Sequence, residues 1–325
     1  MWLLRPVSGI FFAGLLAMGA VAVSGPAIST ASGQSYPNKP VRIVTAAVGG
    51  GSDFTARLIA QAISVPLGQP VIVENRSIGI SAPEIVARAP PDGHTLLFGS
   101  FWIDTLLNKA PYDPITDFSP ITLATRSPNI LVVHPAVPAK SVQELIALTK
   151  GKPGGLNYGS GGQGSTPHLA GELFKALAGV NIVHIPYKGS GAALLDVIGG
   201  QVQLMFATAA SAMPQVKGGK LRALAVTSAQ PSALAPGLPT IAASLPGYEA
   251  NLILGLFAPA KTPAVIINRL NQETVRALNT AEAKEKFLNA AAEVVGSTPA
   301  GLAVTMKAEM ARWSKLIRDT GIKSD

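Results

Sequence analysis

The stretch NYGSGGQGSTPHLAGELF, residues Asn157–Phe174, places a glycine-rich loop between a short strand-like run and a helical pattern. Strand, loop and helix in this order are the repeating unit of α/β folds. Residues Gly159 to Gly164 also spell G-x-G-x-x-G, a dinucleotide-binding fingerprint that requires an acidic residue about 20 positions further on. The run that follows, NIVHIPYKG (181–189), contains no Asp or Glu, so the sequence does not favour a nucleotide site.

A second stretch has the same design. The loop VGGGSDF (48–54) follows the apolar run VRIVTAA (41–47) and precedes apolar residues at helical spacing. Glycine lets backbone N–H groups face outward, and a helix N-terminus adds unpaired donors and about half a positive charge. The two loops therefore predict an anion site, although each alone is as well explained as a structural turn. Neither loop contains Lys or Arg, which favours a carboxylate over a polyphosphate, and we expect Asp53 to cap the first helix.

Further strands and helices alternate along the chain, which predicts an α/β fold. Ser141 and Glu144 form a capping box that predicts a helix start, and Gly179 is expected to end the helix of the second loop. Strands are predicted at 70–75, 94–100, 202–208 and 221–228, with a short helix at 83–89 and a final one at 299–320. Three helices are expected to begin with Thr as the N-cap and Pro as the first helical residue, at Thr166-Pro167, Thr262-Pro263 and Thr298-Pro299.

The N-terminus predicts export. Arg5 precedes an apolar run over residues 10–23, and Ala31 and Gly33 then stand at the positions that a signal peptidase prefers. We therefore expect residues 1–33 to be a cleaved signal peptide and the mature chain to be periplasmic, with an uncleaved anchor as the alternative. The chain has no Cys, so neither a lipid-anchored cysteine nor a disulfide framework is possible.

Charge and composition limit the partners. The net charge of +8 is carried by a chain in which only 14% of residues are charged. Such a mild basic bias is equally consistent with steering of anionic solutes and with ordinary surface charge. Clusters of Lys and Arg with interleaved aromatic residues do not occur in the sequence, so we expect no nucleic-acid partner.

The sequence does not favour an enzyme. Around Ser160 the chain reads YGSGG, with Tyr158 where the G-x-S-x-G nucleophile motif requires Gly. The four histidines lack metal-ligand spacing, and two of them, His134 and His184, lie in apolar strand-like runs where a buried, satisfied role is expected. His168 lies in the first turn of a helix, where ligand contact and a structural role are both open. We expect no catalytic residue, no metal and no cofactor.

Many segments together resemble one family, the tripartite tricarboxylate transporter substrate-binding proteins, also called the Bug family. They run through nearly the whole mature chain and include YPNKPVRIV, GGGSDFTARLIA, LGQPVIVENR, PDGHTLLFGS, PYDPITDFSPITL, LNYGSGGQGSTPHLAGELFKALAG, VHIPYKGSGAALLDVIGGQVQLMF and EMARWSKLIRDTGIK. The resemblance implies a two-domain periplasmic binding protein, type II-like, with two crossing hinge strands and a ligand cleft between the domains. It implies one domain of residues 34–128 with 255–325, a second of residues 129–254, and crossings near 129–134 and 255–258.

The resemblance also implies which residues bind the carboxylate, through backbone amides, hydroxyls and ordered water. In the first loop these are Gly50, Gly51 and Ser52. In the second they are Ser160, Gln163, Gly164, Ser165 and Thr166, with His168 beside them.

Three departures from the family pattern lie where the distal part of a solute would sit. The segment after ENR is short and reads SIGISAP; FWIDTLLNKA brings in Phe101 and Trp102; and Ala207-Thr208 stands where the family commonly has an Asp. Phe101, Trp102 and Thr208 are therefore candidate ligand contacts, with core packing as the equal alternative for the two aromatic residues. The missing acid argues against an amino-acid ligand, and we expect a monocarboxylate with a neutral, partly apolar or aromatic body.

These inferences predict a monomeric, exported solute-binding protein that captures a small organic carboxylate for integral membrane permease subunits. The alternatives are a periplasmic sensor that presents the carboxylate to a signalling partner and, less well supported, a secreted hydrolase.

Overall fold

The computed structural model of the protein describes residues 36–46, 48, 51–76 and 81–322. The predicted signal peptide and Gly50 lie outside these residues. Within them, every helix is too short or too polar to cross a lipid bilayer.

Ten strands occur in the described part of the chain: β1 (Val41–Thr45), β2 (Val71–Asn75), β3 (Thr95–Gly99), β4 (Phe118–Val133), β5 (Asn157–Ser160), β6 (Val183–Pro186), β7 (Leu204–Thr208), β8 (Arg222–Val226), β9 (Asn251–Pro259) and β10 (Glu293–Val294). They follow the order β2-β1-β3-β9-β4-β7-β5-β6, and β8 and β10 also pair with β4. Strands β2 and β3 pair in parallel with β1, and β6 and β7 pair in parallel with β5. The strands that pair with β4, namely β7, β8, β9 and β10, are all antiparallel to it.

The same residues form ten α-helices: α1 (Gly51–Leu67), α2 (Ser81–Ala87), α3 (Asp104–Leu107), α4 (Val142–Gly151), α5 (Thr166–Ala178), α6 (Ser190–Ile198), α7 (Ala209–Lys217), α8 (Ala264–Leu278), α9 (Ala281–Asn289) and α10 (Pro299–Thr320). The alternation of strands and helices confirms the predicted α/β class.

Strand β4 is 16 residues long and pairs with strands of two groups. Its residues 118–128 pair with β9, and its residues 129–133 pair with β7 and β8. One group therefore contains β1, β2, β3, β9 and β10, and the other contains β5 to β8. This curled mixed sheet has the architecture of a two-domain binding protein, while the residue bounds of the two domains stay a prediction.

Local signals explain several helix ends. Ser141 accepts a hydrogen bond from the Glu144 N–H at 3.1 Å, and Thr298 caps α10 by accepting from the Gly301 N–H at 3.1 Å. Gly179 ends α5 in the left-handed conformation with φ 61°. The other two Thr-Pro predictions are wrong by one residue, because Ser165 is the N-cap of α5 and Pro263 is the N-cap of α8.

Two of the hydrophobic cores matter for the site. The first, here called the aromatic core, includes Phe101, Trp102, Tyr112, Phe118 and Phe257. The second packs beneath α5 and includes, among others, Tyr158, Phe174, Phe206 and Tyr248. Helix α10 contributes to both, with Leu302 and Met306 in the aromatic core and Trp313 and Leu316 in the second.

Candidate functional site

Three helices begin at one edge of the sheet. Strands β6 and β7 run parallel to β5, so the carboxyl ends of all three strands lie together. Each strand is followed by a helix, α5 after β5, α6 after β6 and α7 after β7. The contact between Gly161 and the start of α6 is close, since a Cβ on Gly161 would lie 2.6 Å from Ser190 Oγ. The N-termini of α5 and α6 therefore lie beside the same loop.

The N-termini of these three helices differ from others in the described chain. None of α5, α6 and α7 has a side-chain hydrogen bond at its N-cap, whereas Ser141, Thr280 and Thr298 cap α4, α9 and α10. The connecting segments 160–168, 186–191 and 207–211 contain no Asp or Glu. Uncapped first-turn N–H groups with the positive end of the helix dipole, and without a neighbouring carboxylate, favour an anion at this edge.

The segment Ser160–Thr166 is here called the glycine loop. Two alternate backbone amides of this loop donate hydrogen bonds to nearby side chains of the protein itself. The Gly162 N–H donates to Ser160 Oγ at 3.1 Å, and the Gly164 N–H donates to His168 Nδ1 at 2.9 Å. The amides of Gly161 and Gln163 have no acceptor within the described part of the chain. These two N–H groups are the ones that the loop can offer to an oxyanion.

Two predicted ligand contacts, Ser160 and Gly164, already use their donors inside the protein, and the set of site residues stays a prediction. Ser160 is completely buried, and Gly164 has its amide hydrogen bonded to His168, so neither offers a donor to a ligand in this structure. Gln163 is exposed and contributes its amide. Ser165 Oγ donates to the Gly162 carbonyl at 2.7 Å, and Thr166 is half-buried at the first position of α5.

A stack of rings supports the glycine loop from below. His168 and His184 lie face to face with ring centroids 4.0 Å apart. Tyr158 also stacks on His184, with ring centroids 4.9 Å apart. The Tyr158 hydroxyl donates to Glu172 Oε1 at 2.6 Å, and Lys175 pairs with the same carboxylate at 2.8 Å. His168 is therefore buried under the loop, which favours the structural role that the sequence left open.

Burial sets the protonation of this stack. It lowers the pKa of His184 to about 4, helped by His168 and Lys175 and opposed by Glu172. Burial also raises the pKa of Tyr158, and the Glu172 carboxylate raises it further. Both rings are consequently neutral at neutral pH, and His184 can accept a hydrogen bond at one ring nitrogen.

Ser160 and His184 lie as close together as a nucleophile and its general base, but a substrate has no access to the Ser160 hydroxyl. Ser160 Oγ lies 2.7 Å from His184 Nε2 and 3.0 Å from the Gly162 carbonyl oxygen. Because Ser160 is 0% exposed, a substrate carbonyl cannot reach its hydroxyl. Groups of three or more His, Asp or Glu side chains that could hold a metal ion do not occur among the described residues.

The first predicted loop is described only in part. Helix α1 begins at Gly51, Ser52 is half-buried, and Gly50 lies outside the described residues. Asp53 lies in the first turn of α1, so it is not the N-cap residue expected from the sequence, and it is buried. It accepts a hydrogen bond from Asn75 Nδ2 at 2.8 Å and pairs with Arg57 at 2.9 Å, so its charge is compensated.

Phe101 and Trp102 lie in the aromatic core and not in a solvent-facing cleft. They are 3% and 1% exposed, and Phe101 packs 4.6 Å from Phe118 and 5.0 Å from Phe257, centroid to centroid. The burial of these large apolar rings explains their position without a ligand. The prediction of a ligand with an aromatic or apolar body loses its support from these residues.

Helix α3, which follows Trp102, reaches the glycine loop. Ile103 and Leu106 pack on the second core, and Leu107 lies against Gly164. Thr208 is exposed at the N-cap of α7, with its hydroxyl 2.9 Å from Ser211 Oγ. Sequence reasoning did not find Leu107, Gly161 or Ser211, because their roles depend on contacts with segments distant in the chain.

A cavity of about 260 Å³ lies elsewhere, between α1, α8 and α9. Its walls are largely Leu, Ile, Ala and Phe, and Lys286 at its border pairs with Glu282 at 2.6 Å. The two charged residues there pair with each other, whereas two backbone donors without an acceptor among the described residues lie in the glycine loop. We therefore place the functional site at the loop.

Comparison with known proteins identifies the same family that the sequence segments resemble. The chain matches the family described as "Tripartite tricarboxylate transporter family receptor" over residues 55–322. It is 34% identical to protein BugT of Bordetella pertussis, over 93% of this chain and 98% of that protein.

Solved structures of similar proteins have the same fold as this chain. An R. palustris protein with adipate superposes with a TM-score of 0.74 at 37% identity, covering 89% of this chain and 100% of that one. MatC from Rhodopseudomonas palustris with bound malate superposes with a TM-score of 0.71 at 31% identity, covering 87% of this chain and 100% of that one. These neighbours are solute-binding proteins, and their fold is that of periplasmic binding proteins.

Proposed function

Because the chain belongs to the tripartite tricarboxylate transporter receptor family, we propose that it captures a small carboxylate outside the cytoplasm and delivers it to integral membrane permease subunits. The family consists of periplasmic solute-binding proteins, and two R. palustris structures to which the chain is similar contain adipate and malate. We further propose that the chain acts in the periplasm as a monomer after cleavage near Gly33, without enzymatic activity.

The observation that carries this proposal is that three uncapped helix N-termini lie at one edge of the sheet, two of them beside the glycine loop. The helices α5, α6 and α7 each contribute about half a positive charge at one edge of the sheet. The amides of Gly161 and Gln163 supply directed donors at the same place. Partial charges and neutral donors of this kind suit a carboxylate, which carries a single negative charge.

The donors extend beyond the glycine loop, and this bears on the class of ligand. Thr208 and Ser211 place two hydroxyl groups at the uncapped start of α7, without an acidic residue beside them. Hydroxyls and a helix N-terminus suit a second carboxylate or a hydroxyl group better than an ammonium group. With Phe101 and Trp102 in the core, we propose an aliphatic dicarboxylate in place of the expected monocarboxylate. The adipate and malate of the two R. palustris proteins are of this class.

The proposal is tested by calorimetric titration of the mature protein with adipate, malate, benzoate, citrate and glutamate. We expect adipate or malate to bind and to raise the melting temperature, because a ligand at about 100 times its Kd stabilises the folded state by about 2.7 kcal/mol. Binding of benzoate alone would restore the monocarboxylate prediction. A protein that binds none of the five acids would contradict the proposed function.

Delivery to a permease is tested in cells. Deletion of the chain's gene should abolish uptake of the acid that binds in titration, and a copy that encodes the intact protein should restore it. If uptake is unchanged while a transcriptional response to the acid is lost, the protein is a sensor and the transport proposal is wrong.

A further inference from the structure

His168 makes an unusual hydrogen bond for a residue beside a ligand loop. Its Nδ1 accepts the N–H of Gly164, four residues earlier, at 2.9 Å. A neutral imidazole accepts at one nitrogen and donates at the other, so this bond requires the tautomer that carries its proton on Nε2. His168 is 3% exposed, so its ring is an interior support of the loop and not part of the surface that a solute meets.

The ring of His168 is held in place by its neighbours. It stacks on His184 at 4.0 Å with an interplanar angle of 16°. His184 is itself fixed by Ser160 Oγ at 2.7 Å and by the ring of Tyr158 at 4.9 Å. The acceptor nitrogen of His168 therefore has a defined position before any ligand arrives, which is the condition for a preorganised site.

The bond to His168 determines which loop amides remain available. Gly164 has φ +70°, a conformation that brings its N–H to the imidazole. Ser160 Oγ accepts the N–H of Gly162. The amides of Gly161 and Gln163 are left without an acceptor in the described residues. Loss of either internal acceptor would let the loop rotate and would misplace the intervening Gln163 amide.

We propose that His168 is a positioning residue, which holds the glycine loop in its binding conformation by accepting the Gly164 N–H and does not itself contact the bound acid. The effect on affinity rests on the proposed function, whereas the effect on the loop does not. The imidazole acts as an acceptor, so an uncharged side chain with an acceptor at the same place should replace it.

Two variants of His168 and one matched control separate this role from general destabilisation. His168→Asn keeps an acceptor, since the Asn side-chain oxygen can occupy the position of Nδ1, whereas His168→Leu removes it. The control is His134→Leu, because His134 Nδ1 also accepts a backbone N–H, that of Ala136 at 3.2 Å, but lies outside the glycine loop.

The first measurement needs no ligand. Amide hydrogen exchange at Gly164 should be faster in His168→Leu by about tenfold or more, and unchanged in His168→Asn and His134→Leu. In the wild-type protein, NMR should show a scalar coupling through the hydrogen bond between the Gly164 amide nitrogen and His168 Nδ1. Absence of that coupling, or equal exchange in all variants, would overturn the proposal even if a variant failed to fold.

The second measurement is titration with adipate and malate. His168→Leu should weaken the affinity of whichever acid binds by about tenfold, His168→Asn should restore most of it, and His134→Leu should not change it. Wild-type affinity in a folded His168→Leu protein would contradict the positioning role and leave the proposed function standing. If the wild-type protein binds neither acid, the proposed function fails, and the exchange and coupling data still decide the loop contact.

Discussion

Leu107 of α3 lies against Gly164 of the glycine loop, such that a Cβ added to Gly164 would lie 2.7 Å from Leu107 Cδ1. Helix α3 follows the strand group of β1 to β3, and the loop belongs to the strand group of β5 to β8. Leu107 therefore connects the two groups at the candidate binding site, beside Ile103 and Leu106, which pack on the second core, and its contact with Gly164 can be tested directly.

Replacement of Gly164 by Ala should combine two costs. The left-handed conformation of Gly164 costs an L-residue about 1–2 kcal/mol, and the new methyl group also collides with Leu107. We expect Gly164→Ala to lower both the free energy of unfolding and the affinity for adipate or malate. Gly219→Ala is the control for conformation alone, because Gly219 has the same φ of +70° and open space around it. Chemical denaturation and titration measure the two effects.

The double variant Gly164→Ala/Leu107→Ala should recover the part of the loss that is due to the collision. A coupling energy near zero in this double-mutant cycle would show that Leu107 moves away at no cost.

Ser160 should not react as a nucleophile. Its hydroxyl is fully buried and lies within hydrogen-bond distance of His184 and of the backbone of Gly162. A serine-reactive fluorophosphonate should therefore leave the folded protein unlabelled at Ser160, as read by mass spectrometry of its peptides. Stoichiometric labelling of this residue would revive the hydrolase alternative.

Stability should fall in mild acid because of His184. Its ordinary pKa of 6.5 is lowered to about 4 in the folded protein, mainly by burial. Between pH 6.5 and 4 the unfolded chain therefore binds a proton that the folded chain does not, and the free energy of unfolding decreases as the pH falls through this window. At about 1.4 kcal/mol per pKa unit, and with a discount for the half-exposed ring, the loss is on the order of 2 kcal/mol.

His184→Gln is the matched variant for this prediction. The Gln amide can reach the position of Nε2 beside Ser160 but does not titrate. Denaturation curves from pH 7 to pH 4 should show a weaker pH dependence for His184→Gln than for the wild type. Identical slopes would contradict the assignment of this pH dependence to His184.

Glu309 of α10 should contribute far more to stability than a surface carboxylate. It is 3% exposed, pairs with Arg312, and accepts the indole N–H of Trp313 at 2.8 Å. Glu309→Ala leaves the buried indole N–H of Trp313 without its acceptor and removes one of two carboxylate partners of the partly exposed Arg312, which keeps Glu249. We therefore expect a loss of about 1–3 kcal/mol in the free energy of unfolding.

Glu282→Ala is the control, because Glu282 forms an exposed, solvent-screened pair with Lys286 and its loss should change the free energy of unfolding far less. Equal losses in the two variants, measured by urea denaturation, would contradict the assignment of a buried ionic contact to Glu309.

The elements that could be predicted from the sequence are those set by short-range physics. The alternation of apolar runs located the strands, and Ser141, Gly179 and Thr298 ended or started helices as their local chemistry requires. The Thr-Pro rule failed at Thr166 and Thr262 because a neighbouring residue took the N-cap position in each case. Residue type constrains a helix boundary but does not determine it to one position.

The candidate site was less accessible to sequence reasoning, because it is made by contacts between distant segments. The glycine loop was recognised as a donor site, but which amides are used internally depends on His184, 24 residues from Ser160, and on the stack that holds His168. Phe101 and Trp102 illustrate the same limit. An aromatic residue near a predicted cleft fits a core as well as a ligand, and only the position of Phe118 and Phe257 decides between them.

Helix α10 has 22 residues and thus a length of about 33 Å, and it is anchored at its start by Leu302 and Met306 and towards its end by Trp313 and Leu316, in two different cores. Because α10 packs in both cores, a rotation of one strand group against the other would also change the tilt of this helix. Lys307 is exposed between the two anchors, far along the chain from the binding loops. Because the chain has no Cys, an environment-sensitive dye on Lys307→Cys would label this one position and report any tilt of α10 when adipate or malate is added, with the binding loops left unmodified.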